Sequence, residues 1–144
     1  MHIVETQVSF EAAHRLYDVD TYSSECRENI HGHSYKVRVK VSCDALNSAG
    51  MVIDFKLLKT IIASNIESKY DHSCILKSND PLCKPITDNC KKVVIVNKNP
   101  TAEYMAELFF NQIQYALRDC KGIQVYSVSV QETENNIATY LRGE

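Results

Sequence analysis

Three features of the sequence predict an α+β domain: two long stretches of alternating apolar and polar residues near the start, two segments of helical periodicity in the middle, and two shorter alternating stretches at the end. The order β-β-α-α-β-β implies a four-stranded antiparallel sheet carrying both helices on one face. A chain of 144 residues is the size of one domain, here 1–144, large enough to bury a core without disulfide or metal staples.

Residues 3–10, IVETQVSF, place Val4, Thr6, Val8 and Phe10 on one face, and the strand runs toward His14. In SYKVRVKVSC, residues 34–43, Tyr35, Val37, Val39, Val41 and Cys43 share one side while Lys36, Arg38, Lys40 and Ser42 share the other. That is the pattern of an antiparallel strand with one wet, basic face. Turn-rich DALNSAG then leads to a helix that Asp54 can cap, with Phe55, Leu58, Ile62 and Ile66 as its apolar stripe and an end near Tyr70.

Residues 71–99 are irregular, with Pro81 and Pro85 as breakers and KKVVIV as the one apolar run, so they read as a long connection with room for a short strand. The second helix opens at NPTAE, capped by Asn99 or Thr101, with Pro100 in the first turn and Met105, Leu108, Phe109 and Leu117 as its stripe; it ends before Gly122. Residues 123–132 and 137–141 give the last two strands, joined by the turn-forming ENN.

A formal net charge of −2 gives no global positive field, so neither nucleic acid nor an anionic membrane is an expected partner. The start, MHIVETQVSF, lacks the features of a signal peptide, and no apolar run approaches membrane-spanning length, which predicts a cytoplasmic protein. The six cysteines show no C-x-x-C pair, and reduced thiols are expected.

The chemistry concentrates in ENIHGH. Side chains two residues apart on an extended backbone point the same way, so His31 and His33 can converge on one ion, and His14 is placed to join them if the first two strands pair. Three imidazoles with an open fourth position describe a catalytic zinc. Two other readings stay open: a pair of turn histidines, and a closed structural site with Cys26 as fourth ligand. Asp71-His72 follows the first helix, and a carboxylate beside a histidine suits proton transfer, although a polar helix-end cluster has the same signature. Glu132 shares the parity of Tyr126, Val128 and Val130, and a carboxylate on an apolar face needs a partner. That partner is either an internal cation such as Arg142 or Lys36 or a ligand edge with adjacent N–H groups, the third reading being simple exposure at the strand's end. Glu103, in the first turn of the second helix, also fits a dipole role.

The segments FEAAHRL, HGHSYKVRV, GMVIDFKLLK, YDH, NPTAEYMA and QETENNIATYLRGE together resemble the 6-pyruvoyl-tetrahydropterin synthases and their 6-carboxytetrahydropterin synthase relatives, over nearly the whole chain. The resemblance implies the tunnelling fold, in which three sheets form a barrel and two trimers stack into a homohexamer with active sites between subunits. It implies Zn2+ on His14, His31 and His33, Asp71 with His72 as proton relay, and Glu132 as anchor of the pterin ring. Thr101 and Glu103 become secondary substrate contacts. Shared sites would let Asp71-His72 and Glu132 reach a zinc that they need not touch within one chain, and would place Lys36, Arg38 and Lys40 inside the barrel.

The implied reaction is a zinc-dependent lyase acting on 7,8-dihydroneopterin triphosphate, giving 6-pyruvoyl-tetrahydropterin or 6-hydroxymethyl-7,8-dihydropterin. The alternatives are a 6-carboxytetrahydropterin synthase of a deazapurine route and a non-catalytic pterin-binding zinc module. The sequence departs from the family at the base, which is usually a cysteine four or six residues before the first histidine of HGH. Cys26 is five before His31, whereas Glu28 gives Glu-x-x-His-Gly-His and resembles a variant subgroup with glutamate in the cysteine's place. On that spacing Glu28 is favoured over Cys26 as catalytic base.

Overall fold

Strands β1 (His2–His14) and β2 (His31–Cys43) pair antiparallel along their whole lengths, from His2 opposite Cys43 to His14 opposite His31. A computed structural model describes residues 1–143 of the chain. Both strands outrun their expected bounds: His14 lies within β1, and His31 opens β2. Alternation decides which side is dry. Val8, Phe10, Tyr35, Val37, Val39 and Val41 are buried, while Ser9, Glu11, Ser34 and Lys36 face outward.

Among the described residues the sheet has six strands rather than four, in the order β4-β3-β1-β2-β5-β6, and it is mixed rather than antiparallel. The two extra strands come from residues 71–99. Strand β3 (Ser73–Lys77) runs parallel to β1, and β4 (Val93–Val96) runs parallel to β3, with helix α4 (Cys83–Asn89) making the crossover. A short strand covered on both faces has no period-2 pattern to read. Ile75 and Leu76 are adjacent, point to opposite faces, and are both fully buried.

On the other flank, β5 (Gln124–Gln131) pairs with β2 and β6 (Ile137–Leu141) pairs with β5. The β2–β5 register shifts between Lys40 and Val41, so Ser127 faces Lys40 while Val125 faces Val41. Tyr126 is the extra residue of this bulge. Its expected parity with Val128 and Val130 fails for that reason: Tyr126 is 37% exposed while Val125, Val128 and Val130 are buried.

Among the helices, short α1 (Glu25–Glu28) sits in the β1–β2 connection. The first predicted helix is α2 (Phe55–Ile62), continued through a π-helical stretch, Ala63–Glu67, into α3 (Ser68–Tyr70). Asp54 caps it, its carboxylate accepting from the Lys56 and Leu57 N–H groups. Leu58, Ile62 and Ile66 are buried as expected, but Phe55, at the first turn, is exposed. Helix α5 (Ala102–Ala116) is capped by Thr101, whose hydroxyl accepts from the Tyr104 N–H at 3.2 Å. Asn99 is not the cap: its amide bonds the Tyr17 backbone N–H and C=O, tying the start of α5 to the end of β1. Gly122 turns the chain into β5 with φ +76°, a left-handed conformation that glycine adopts without steric cost.

Helices and sheet meet in an aromatic core, with Phe10 stacked on Tyr35 at 5.0 Å and Tyr70 edge-on to Phe109 at 4.9 Å. Among the described residues no helix is long and apolar enough to cross a membrane.

Candidate metal centre

The β1–β2 register sets the site. His14 is directly opposite His31, and His33 is opposite Ala12, one step along the same face. Facing residues on paired strands hold their Cβ atoms about 5 Å apart, so the three rings converge at the end of the buried face. His14 Nε2 lies 3.0 Å from His31 Nε2 and 3.1 Å from His33 Nε2. These three residues form a cluster of potential metal ligands whose donor atoms all lie within 4.8 Å of one another.

The hydrogen bonds behind the rings say what the cluster is built for. His14 Nδ1 is 2.7 Å from the Pro100 carbonyl, and His31 Nδ1 is 3.0 Å from the Asn29 carbonyl. A carbonyl only accepts, so each Nδ1 carries the proton and each Nε2 presents a bare lone pair. Two lone pairs facing each other repel unless a cation lies between them. A tetrahedral zinc with bonds of about 2.0–2.1 Å would hold its nitrogens about 3.3 Å apart, close to the spacing found. The donor set therefore fits a zinc ion, and the carbonyls supply the outer contacts that orient such ligands.

Burial reinforces the arrangement. His14 is 3% exposed, and its pKa is lowered to about 4, chiefly by burial and then by the neighbouring His31 and His33, against the Pro100 bond. His33 is lowered too, by burial and then His31. The His14 Nε2 lone pair is free at neutral pH.

Glu132 stands beside the triad, its Oε1 3.9 Å from His14 Nε2. It was expected to need no contact with its own chain's histidines, yet the parity it keeps with Val128 and Val130 brings it there. Burial and then the Glu103 charge push its carboxyl up, against a lowering effect from His31. Among the described residues no hydrogen-bond donor reaches that carboxylate. Thr101 and Glu103 sit at the start of α5, next to the Pro100 carbonyl that holds His14.

Asp71 and His72 lie elsewhere. Asp71 accepts the Glu11 N–H at 2.9 Å and holds His72 Nδ1 at 2.8 Å, while the Glu11 carbonyl takes the His72 N–H. The Glu11 side chain belongs to the outward face, where Ser34 donates to it. His72 lines a shallow cavity with Glu11, Gly32, His33 and Ser34, and among the described residues no hydrogen bond joins Asp71 or His72 to the triad. Asp71 is held below the usual carboxylate range by the Glu11 N–H and then by His72. His72 takes φ +58°, a strained conformation of the kind found at functional positions.

Cys26 and Glu28 both belong to α1, where Cys26 is half-buried and Glu28 exposed. Two residues apart on a helical turn they point on the order of 200° apart. Glu28 lines an open cavity with Tyr17, Asp18 and Arg27.

Sequence reasoning missed three supports of the site. The Pro100 and Asn29 carbonyls are backbone groups with no side-chain signature. Arg15 and Asp80 form a buried two-pronged ion pair, with Arg15 Nε donating to Asp80 Oδ2 at 2.7 Å, which fastens the segment after β3 to the end of β1.

The family model described as 6-pyruvoyl tetrahydropterin synthase matches residues 3–143. A 6-carboxy-5,6,7,8-tetrahydropterin synthase from Rickettsia conorii is 31% identical over 131 residues, covering 90% of this chain and 92% of its own. One of the same name from Aquifex aeolicus is 32% identical over 151 residues, covering 91% and 92%. The solved structure of Caenorhabditis elegans 6-pyruvoyl tetrahydropterin synthase superposes with a TM-score of 0.71 at 25% identity, covering 99% of this chain and 96% of that one.

Proposed function

The chain belongs to the 6-pyruvoyl tetrahydropterin synthase family, and from that premise we propose that it is a zinc-dependent 6-carboxytetrahydropterin synthase acting on 7,8-dihydroneopterin triphosphate. The convergence of His14, His31 and His33, with Glu132 beside them, carries this reading. The names of the relatives favour the carboxy product over the pyruvoyl product that the sequence put first.

Bound zinc would supply Lewis-acid polarisation of the substrate's side-chain hydroxyls. His14, His31 and His33 offer it three ring nitrogens. Glu132 takes the amino-pyrimidine edge of the ring, its two oxygens matching two adjacent N–H groups, and so lays the side chain toward the histidines. Thr101 and Glu103 add contacts at the same end. Asp71 keeps the His72 proton on Nδ1, leaving Nε2 to accept and return a proton. Among the described residues no hydrogen bond joins that pair to its own triad, and we assign it to the site of a neighbouring subunit, in a homohexamer of two trimers.

Glu28 favours a second reading within the same class, cleavage to 6-hydroxymethyl-7,8-dihydropterin, because its spacing to His31 resembles the glutamate variant. Carbon balance separates the outcomes. The substrate side chain has three carbons. A carboxy product keeps one and releases inorganic triphosphate with a two-carbon fragment. A hydroxymethyl product also keeps one, but its two-carbon fragment leaves with the triphosphate attached. A pyruvoyl product keeps all three.

The test is to incubate zinc-loaded protein with 7,8-dihydroneopterin triphosphate and resolve pterins and triphosphate by chromatography, for the parent, Glu28→Ala and Cys26→Ala. The parent is expected to release inorganic triphosphate and the carboxy pterin. Glu28→Ala is expected to lose most turnover while keeping zinc; loss in Cys26→Ala instead would assign the base to Cys26. No turnover in the zinc-loaded parent would leave a binding module.

A further inference from the structure

Tyr35 follows His33 by two positions on β2 and shares its face. Its ring stacks on Phe10 and lies 5.4 Å from the His33 ring and 6.1 Å from that of His14, so it floors the histidine cluster on the core side. The residue is 1% exposed. Its hydroxyl is one of two buried side-chain polar atoms that lack a hydrogen-bond partner among the described residues.

A buried hydroxyl without an acceptor costs free energy, and phenylalanine would fill the same space without that cost. An acceptor lies close by. Glu132 Oε1 is 3.9 Å from Nε2 of His14, whose ring the Tyr35 ring meets edge-on with centroids 6.1 Å apart. The Glu132 carboxylate is in the complementary state, half-buried and met by no hydrogen-bond donor among the described residues. A donor without an acceptor thus sits beside an acceptor without a donor.

We propose that Tyr35 is a positioning residue of the pterin site, its hydroxyl donating to the Glu132 carboxylate when that carboxylate receives a ring edge bearing two adjacent N–H groups. This rests on the reading of Glu132 as the ring anchor. A carboxylate offers about four lone-pair positions, so the ring edge can take one from each oxygen and leave another for the phenol. The third bond would stop the carboxylate from rotating about its own axis. A carboxylate fixed in plane discriminates between a ring with two adjacent donors and a ring with one.

The experiment compares binding of pterin and of lumazine, which carries a carbonyl in place of the 2-amino group, to the zinc-loaded parent, Tyr35→Phe and Glu132→Gln, by fluorescence titration. Unliganded melting temperatures are measured alongside. Tyr35→Phe is expected to narrow the pterin-over-lumazine preference about 10-fold, the worth of one hydrogen bond to a charged group, with an unliganded melting temperature equal to or above the parent's. An unchanged preference in Tyr35→Phe, with Glu132→Gln losing it, would overturn the role of Tyr35 and leave the anchor standing. An unchanged preference in both variants would remove the anchor, and the proposal with it. A ratio of affinities within one variant is insensitive to a general loosening of the core, so a packing role alone would not move it.

Discussion

His14 gives its two ring nitrogens different tasks: Nδ1 fixes the ring on the Pro100 carbonyl, and Nε2 faces the other histidines. Burial keeps the ring neutral, with a pKa of about 4, and this has a consequence for stability. A histidine whose folded pKa lies below its unfolded value of about 6.5 binds protons more readily when unfolded. Its contribution is therefore complete above about pH 6.5 and is lost as the pH falls toward 4. The metal-free protein is expected to lose on the order of 3 kcal/mol across that interval, read as a falling urea midpoint in a pH series. A midpoint independent of pH there would mean that the ring is not buried as a neutral base. The histidine convergence was legible in the sequence because strand parity is local. Its tautomers were not, because the carbonyl that sets that of His14 lies 86 positions away along the chain.

At the scale of elements, the long alternating strands, the two main helices and the short strand within KKVVIV that became β4 were legible, while β3 and the pairing of both in the sheet were not. The reason lies in cover: a strand packed on both faces shows an apolar run too short to distinguish from loop. Ile75 is fully buried in β3, between the sheet and its cover. Ile75→Ala is expected to lower stability by about 2–5 kcal/mol in denaturant unfolding, the range for a core isoleucine. A loss under about 0.5 kcal/mol, typical of surface positions, would return this segment to the status of a connection. The bulge at Tyr126 was likewise invisible, since one inserted residue reverses parity only when the partner strand is known. It leaves the site untouched, because Glu132 lies beyond it and keeps the parity of Val128 and Val130.

For the whole molecule, the arrangement of the two sheet faces bears on assembly. The triad and Glu132 occupy the face that packs on the helices, whereas Asp71 and His72 are held against Glu11, whose side chain faces the other way. Strands β4 and β6 are the open edges of the sheet, and unpaired edges seek partners. If neighbouring subunits complete one another's sites, two inactive variants should rescue each other. His33→Ala and His72→Ala, each inactive alone, are expected to regain about a quarter of parent activity when refolded together in equal amounts, the fraction of sites that draws both intact parts at random mixing. Light scattering should report a hexamer. No recovery, or an active monomer, would place the whole reaction within one chain.

The sequence by itself determined what is local or periodic: the strand parities of β1 and β2, the cap at Asp54, the apolar stripes, and the two histidines that alternation aims at one point. The pattern of motifs added the family. Tertiary structure alone decided the rest. It paired His14 with His31, set Pro100 behind His14 and Glu132 beside it, fastened Arg15 to Asp80, and left the Tyr35 hydroxyl without an acceptor among the described residues. Each of these is a meeting of residues far apart along the chain, and no periodicity within a segment encodes which distant segment will pack against it.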